Sequence, residues 1–281
     1  MDELHPLRPA MIRAFFFDLD GTLLTSEKVI APSTRQALAD CRARGGKLFI
    51  ATGRSPRLDR TLNWTADDLA LFDGGVFSNG ACTLLDGQEH WAHIDPAAVA
   101  ECVRLADRHG VHISLHMDDG SHAFNFDLPR EVWGPWGVDE SNVVPLDEAA
   151  FARTVKLLFF YESMVDFAAL LPEALLADLT AAVGGEVSLY LTDHGCTIQA
   201  AARQVSKLTG IEHIRTALGL AEDEIAVFGD DLNDLPMLRR YPHSVAMGNA
   251  VPEARAAAKY VTRSCDEDGI AHALARLLPT N

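Results

Sequence analysis

Polar side chains that can do chemistry follow three apolar runs of this sequence, each where a buried strand is expected to end. Asp18 and Asp20 follow the run 14–17, and Thr52 follows the run 47–51. The third group, after the run 224–228, comprises Asp230, Asn233 and Asp234. Ligands of open α/β sheets bind at the edge where the carboxyl ends of parallel strands meet. A turn after a strand explains each group alone, but their joint placement predicts one site.

Four of these residues are carboxylates, which repel one another at close range unless a cation neutralises them. Mg2+ takes such oxygen ligands and keeps waters that a phosphate can replace. An EF-hand calcium loop is the alternative. It fails because counting from Asp18 or Asp230 places no Gly at position six and no Glu at position twelve. The pattern therefore favours a magnesium site.

The same residues fit phosphoryl transfer. A carboxylate such as Asp18 can attack phosphorus and form an acyl-phosphate. Asp20, two residues on, can protonate the leaving oxygen and then activate water. Thr52 and Lys207, which precedes the helix leading to Asp230, would supply a hydroxyl and an ammonium to the equatorial phosphate oxygens.

The elements around these residues alternate between strands and helices. Strands are expected at 14–17, 47–51, 75–78, 224–228, 244–247 and 260–262. A helix is expected to start with Ser33 as its N-cap and to close at Gly45 and Gly46. Short turns between strands and helices predict a parallel, Rossmann-like sheet covered by helices, in the α/β class.

The middle of the chain has a different pattern. Residues 111–117 alternate strictly and meet 121–127 across an Asp-Asp-Gly turn, which predicts a β-hairpin. Further strands at 155–161 and 186–192 flank a helix at 172–183. An antiparallel α+β module is therefore expected as an insertion. The predicted boundaries are 84–201 for this module and 11–83 with 202–281 for the core.

Two histidines of the predicted hairpin, His112 and His116, lie on one face of the alternating strand. One interpretation is a solvated or hydrogen-bonded face. The other is that this face covers the site and contacts the substrate. A zinc site is disfavoured because residues i and i+4 of a strand lie far apart.

Composition excludes several classes. The formal charge of −16 disfavours nucleic acid and anionic membranes as partners. The five cysteines are scattered and form no CxxC pair, which fits a reducing cytoplasm. Residues 1–13 contain no apolar segment of the kind found in signal peptides, and no apolar run is long enough to cross a bilayer. We expect a cytoplasmic protein of 281 residues, a monomer or a homodimer.

These motifs resemble those of haloacid dehalogenase-like phosphatases. Asp18-Leu-Asp-Gly-Thr-Leu-Leu is similar to the first motif, Thr52 in Ala-Thr-Gly-Arg to the second, Lys207 to the third and 229–234 to the fourth. The segments 78–81, 246–250 and 268–271 resemble features of the Cof-type branch, which carries an inserted α/β cap of the C2B kind. The resemblance covers nearly all of the chain and is weakest in the inserted module.

The resemblance implies a role for each matched residue. Asp18 would be the nucleophile and a metal ligand, and Asp20 the general acid/base with its backbone carbonyl on the metal. Asp230 would be a second carboxylate on Mg2+, Asp234 a direct or indirect ligand, and Asn233 would order the phosphate. The implied reaction is hydrolysis of a small phosphorylated metabolite through an aspartyl-phosphate.

Two alternatives stay open. A phosphomutase or phosphotransferase would pass the phosphoryl group to a sugar, and a binding or regulatory relative would keep the fold without turnover. A dehalogenase is disfavoured because it needs no Asp20. The sequence leaves the substrate open among sugar phosphates, nucleotides and cofactor phosphates.

Overall fold

The computed structural model describes residues 11–62, 64–134, 137–161, 170–192 and 195–278. Most of the N-terminal segment assessed for a signal peptide lies outside them. The chain divides into two compact units. The first comprises Met1–Thr52, Asp68–Gly75 and Ile211–Asn281, and the second Gly53–Asp67 and Val76–Gly210.

The helices and strands follow one another in a mixed order. The strands are β1 (Ala14–Phe17), β2 (Lys47–Ala51), β3 (Gly74–Phe77), β4 (Cys82–Leu85), β5 (Gln88–Trp91), β6 (His112–Met117), β7 (His122–Phe124), β8 (Thr154–Phe160), β9 (Val187–Thr192), β10 (Thr197–Ala202), β11 (Ile225–Gly229), β12 (His243–Ala246) and β13 (Tyr260–Val261). The helices are α1 (Pro32–Ala43), α2 (Leu58–Thr61), α3 (Ala66–Leu69), α4 (Pro96–His109), α5 (Glu148–Arg153), α6 (Glu173–Val183), α7 (Lys207–Ala217), α8 (Leu235–Arg240), α9 (Pro252–Ala257) and α10 (Gly269–Leu277).

The first unit is built on a parallel sheet in the order β13-β12-β11-β1-β2, followed by the start of β3. β1 lies between β2 and β11 and pairs with both in parallel register. Its four residues are fully buried aromatic or apolar side chains, and Phe17 stacks on Phe228 at 4.7 Å between ring centroids. These strands carry the site residues at their carboxyl ends. The predicted α/β class is confirmed.

The second unit contains an antiparallel sheet in the order β7-β6-β8-β10-β9. One face of this sheet packs on α4 and α6 through buried side chains such as Leu115, Phe159 and Leu175. The predicted hairpin of β6 and β7 is confirmed. His112 lies opposite Phe160 of β8, and His116 lies opposite Lys156. Because the two histidines are four residues apart in a regular strand, they lie on one face, as expected.

The predicted start of the first helix is wrong. Helix α1 begins at Pro32, which occupies its first turn, and its N-cap is Ala31. The Ser33 hydroxyl donates to Asp268 instead of capping its own helix. Proline is favoured at a first helical position because its missing N–H is one of those that a helix start leaves without a partner, and because its fixed φ suits the helix.

Candidate active site

The first carboxylate is placed by the sheet itself. The Asp18 amide donates to the Phe228 carbonyl at 3.0 Å, which extends the pairing of β1 and β11 by one residue. The Leu23 amide donates to the Asp18 carbonyl at 3.1 Å and closes the turn. Asp18 is only 6 % exposed. Burial of a carboxylate is costly unless a cation or hydrogen bonds compensate it, so this position points to a site.

Asp234 is held by the turn that follows β11. One oxygen of its carboxylate accepts from the amides of Asp230 and Asp231 at 2.9 and 3.1 Å. A side chain at Gly229 would collide with it, since a Cβ there would lie 2.5 Å from Asp234 Cγ. The glycine of this motif therefore makes room for the fully buried Asp234.

Asp230 is fixed from the other side by the first motif. The Thr22 hydroxyl donates to Asp230 Oδ1 at 2.7 Å. Gly21 has φ of +79°, and a Cβ there would lie 2.3 Å from Asp230 Oδ2. Only glycine combines that backbone conformation with so close an approach. The first and fourth motifs are thus in contact, since the Asp230 side chain lies against both the Gly21 backbone and the Thr22 hydroxyl.

Three carboxylates converge as a result. Ligand oxygens of Asp18, Asp230 and Asp234 all lie within 4.8 Å of one another. Oxygens bound to one Mg2+ at about 2.1 Å lie at most about 4.2 Å apart, so this set approaches the required spacing. The set consists only of hard oxygen donors, which Mg2+ prefers. Among the described residues, these three form the only His, Cys, Asp and Glu cluster suited to a metal ion.

Asp20 is part of the same turn but outside the carboxylate cluster. Its Oδ1 accepts from Lys28 Nζ at 2.8 Å, and its side chain is 36 % exposed. This partial exposure leaves the carboxylate accessible from solvent, as proton exchange requires.

The remaining predicted residues lie in the expected elements. Thr52 follows β2 with 1 % of its surface exposed, and Asn233 belongs to the single turn of 3-10 helix at 232–234. Lys207 is buried at the first position of α7 and belongs to the second unit. Their contacts with a phosphate stay predictions.

Sequence reasoning assigned no role to Asn249, although the segment 246–250 was noted as a motif. Its amide nitrogen donates to the Gly21 carbonyl at 2.8 Å, and its Oδ1 accepts from the Cys265 amide at 2.9 Å. Asn249 therefore links the turn after Asp20 to the segment before α10. The signal was an Asn after Gly248 in a turn that follows a strand.

Comparison with known proteins shows which family this sequence and structure match. Residues 15–274 match the sequence model of the haloacid dehalogenase-like hydrolases. The phosphatase-like protein YkrA of Bacillus subtilis is 31 % identical over 270 residues, which cover 94 % of this chain and 97 % of that protein. The 5-amino-6-(5-phospho-D-ribitylamino)uracil phosphatase YcsE of Bacillus subtilis is 25 % identical, with 94 % of each chain covered. The structure of the subclass IIB sugar phosphatase BT4131 is similar with a TM-score of 0.76 at 27 % identity, covering 94 % of this chain and 98 % of that one.

Proposed function

Because this chain belongs to the haloacid dehalogenase-like hydrolases and is a phosphoric monoester hydrolase, we propose that it hydrolyses a small phosphorylated metabolite through an aspartyl-phosphate on Asp18. The observation that carries this proposal is the convergence of the buried Asp18 with Asp230 and Asp234. A carboxylate at the end of a central parallel strand, beside two others, is placed to act as nucleophile where a cation neutralises the group.

The reaction has two balanced steps. In the first, an oxygen of Asp18 forms a bond to phosphorus while the bond from phosphorus to the ester oxygen breaks, and Asp20 gives its proton to that oxygen. In the second, Asp20 takes a proton from water, the water oxygen bonds to phosphorus, and the bond to Asp18 breaks. Inorganic phosphate leaves and both carboxyl groups return to their starting states.

Asp18, Asp230 and Asp234 would hold Mg2+, together with the backbone carbonyl of Asp20. When bound, Mg2+ supplies positive charge that stabilises the transferring phosphoryl group. Thr22 and the amides of residues 230 and 231 keep Asp230 and Asp234 oriented for this task. Thr52, Asn233 and Lys207 would bind the phosphate oxygens through hydroxyl, amide and ammonium groups.

Further parts of the proposal concern the setting of the reaction. Residues 84–201 would select the substrate, with 11–83 and 202–281 as the catalytic core. The charge of −16 argues for a small molecule and against nucleic acid as the partner. All five cysteines are free thiols, which supports a reducing, cytoplasmic setting. Within the described residues, no helix is long and apolar enough to span a bilayer.

Metal dependence tests the proposal. Removing divalent cations with EDTA should lower hydrolysis of p-nitrophenyl phosphate by at least about a thousandfold, because the carboxylate cluster alone repels the phosphate dianion. Added Mg2+ should restore the rate. The rate is measured by the release of p-nitrophenolate.

A matched pair of variants locates the ion. Asp230→Asn should raise the Mg2+ concentration needed for half-maximal rate, whereas Asp231→Asn, an exposed neighbour outside the cluster, should leave it at the wild-type value. Full activity after thorough chelation, or equal effects of the two substitutions, would contradict the proposed metal site.

A further inference from the structure

One face of the antiparallel sheet in the second unit packs on helices through the main apolar cluster. His116 and Lys156 are not part of that cluster. Three side chains that can carry positive charge are neighbours in this sheet. His116 of β6 lies opposite His122 of β7 on one side and opposite Lys156 of β8 on the other. The two imidazole rings meet edge to face at 4.6 Å between centroids.

His122 is buried and has an unused nitrogen. Only 8 % of its surface is exposed, and its Nδ1 has no hydrogen-bond partner among the residues that the structure describes. His116 differs, because its Nε2 meets the Ser114 hydroxyl at 3.1 Å. A buried polar atom without a partner costs on the order of 1–3 kcal/mol, so a ligand atom that satisfied it would be bound favourably.

Two cationic side chains, Lys156 and Arg60, lie near this pair. Lys156 Nζ donates to the Gly53 carbonyl at 3.1 Å, which holds the ammonium at the sheet face. Arg60 of α2 is exposed, and its guanidinium makes no hydrogen bond or ion pair with any part of the chain that the structure covers. The next residue, Thr61, has a buried hydroxyl that likewise lacks a partner within the described residues.

The nearby carboxylate is already engaged. Asp119, in the turn between β6 and β7, forms an ion pair with Arg153 and accepts from the Ser121 amide at 2.9 Å. A second carboxylate, Asp139, lies near enough to Arg60 for their charges to interact, and it too is engaged, because its Oδ1 accepts from the Ser141 amide at 2.7 Å. In a chain with a net charge of −16, this group of cations beside two engaged carboxylates is a local exception. It produces a positive potential at a partly desolvated surface, where charge interactions are strong.

The acid–base behaviour of the two histidines agrees with that potential. Burial lowers the pKa of His116 well below its usual value, and His122 and Lys156 lower it further. Burial and then the charge of Arg60 lower the pKa of His122 to about 4, with Lys156 acting the same way and Asp119 opposing. Both rings are therefore neutral at pH 7. Each can donate one N–H to an acceptor or take up a proton when an anion arrives.

We propose that Arg60, His116, His122 and Lys156 form an anion-binding site in the second unit, which takes a carboxylate or phosphate group. A metal ion fits poorly, because Arg60 and Lys156 repel it and no described carboxylate joins the two imidazoles. An anion instead gains charge-assisted hydrogen bonds from the guanidinium and the ammonium, and an imidazole N–H in the buried position. The anion is either an acidic group of the substrate other than its scissile phosphate or a separate small anion.

Binding can be measured without turnover. We would titrate the metal-free protein, in EDTA, with sulfate and follow the histidine ring resonances by NMR. Without a cation, the carboxylates of the core cluster repel sulfate. The resonance followed is that of His122, which is not among the residues proposed to bind the scissile phosphate. Sulfate should raise the pKa of His122 from about 4 to above about 5, because an anion stabilises the protonated ring.

Two arginine substitutions separate a site from general charge effects. Arg60→Gln should weaken sulfate binding at least about tenfold, which is the loss of one charge-assisted hydrogen bond. Arg130→Gln removes the same charge from an exposed pair with Glu140 in the same unit and should leave sulfate binding unchanged. A His122 titration that is identical with and without sulfate would overturn the proposal. Equal weakening by both substitutions would also overturn it.

The source of the anion is distinguished by kinetics with Mg2+. In the Arg60→Gln variant, we would compare KM for a phosphate ester that carries a second acidic group with KM for phenyl phosphate. If the substrate supplies the anion, the ratio of the two KM values rises above that of the wild type. If a separate anion does, the ratio keeps its wild-type value. Because the sulfate titration needs no catalysis, failure of the anion site and failure of the phosphatase proposal give different results.

Discussion

Replacing Asp18 with Asn should lower hydrolysis of p-nitrophenyl phosphate by roughly 10^5-fold or more, the size of loss seen when an enzyme's nucleophile is removed. The amide has nearly the same shape as the carboxylate but cannot attack phosphorus, and it also removes a charge from the metal site. Asp18 is 6 % exposed at the end of the fully buried β1, so the nearly isosteric substitution keeps the packing. Steady-state rates with saturating Mg2+ measure the effect.

Asp231→Asn is the control for this result. Asp231 lies beside the cluster in sequence, is exposed, and uses its Oδ1 to accept from the Leu232 amide at 2.7 Å. Its substitution should leave the rate within about twofold of wild type, because asparagine keeps the backbone amide that holds Asp234 and an oxygen that can cap the turn. An Asp18→Asn variant that keeps more than about a tenth of the wild-type rate would show that the nucleophile is another group.

Replacing Asp20 with Asn should slow the complete reaction by roughly 10^2–10^4-fold, the usual value of general acid–base catalysis. The two half-reactions should respond differently. p-Nitrophenolate is a good leaving group and needs little proton donation. The rate of the first step should therefore fall less than the rate at which water attacks the aspartyl-phosphate. We therefore expect a burst of p-nitrophenolate, equivalent to one per enzyme molecule, followed by slow turnover.

The burst distinguishes this role from a structural one. Asp20 is 36 % exposed and its partner Lys28 is 52 % exposed, so loss of their ion pair has little effect on the free energy of unfolding. A variant that loses turnover without a burst, and loses Mg2+ binding as well, would make Asp20 a structural or metal-binding residue. If Asp18→Asn showed the burst instead, the two roles would be exchanged.

The edge of the first unit that carries the carboxylate cluster could be predicted from sequence because its signals are local. β1, β2 and β11 are short buried runs followed directly by polar turn residues, and the structure places Asp18, Thr52 and Asp230 after them as expected. Strand ends of this kind are marked by an abrupt change from apolar to polar side chains. The order of the strands then brings the three ends to one edge.

The elements that sequence reasoning did not assign fall into two kinds. Helix α4 carries clear local signals, an Asp95 N-cap, Pro96 at its start and Gly110 in the left-handed conformation at its end, and could have been predicted. Strand β10 could not, because its sequence Thr-Ile-Gln-Ala-Ala-Ala is rich in alanine, a poor strand former. Pairing with β8 and β9 on both sides decides its conformation.

The details of the carboxylate cluster also depend on contacts far apart in sequence. Thr22 and Asp230 are separated by 208 positions. No local sequence pattern indicates that the Thr22 hydroxyl orients the Asp230 carboxylate. The same holds for Gly21, whose close approach to Asp230 appears only in the folded chain. Sequence indicates which residue types could do the chemistry, while tertiary contacts determine their distances and orientations.

Locating the phosphoryl group on the chain is the most direct measurement of the proposed mechanism. The enzyme would be quenched during turnover of a phosphate ester, the acyl-phosphate reduced with borohydride to homoserine, and the modified peptide sequenced by mass spectrometry. We expect homoserine at position 18, formed only when substrate and Mg2+ are both present. Homoserine at Asp20, Asp230 or Asp234, or an active enzyme in which no aspartate is reduced, would contradict an aspartyl-phosphate on Asp18.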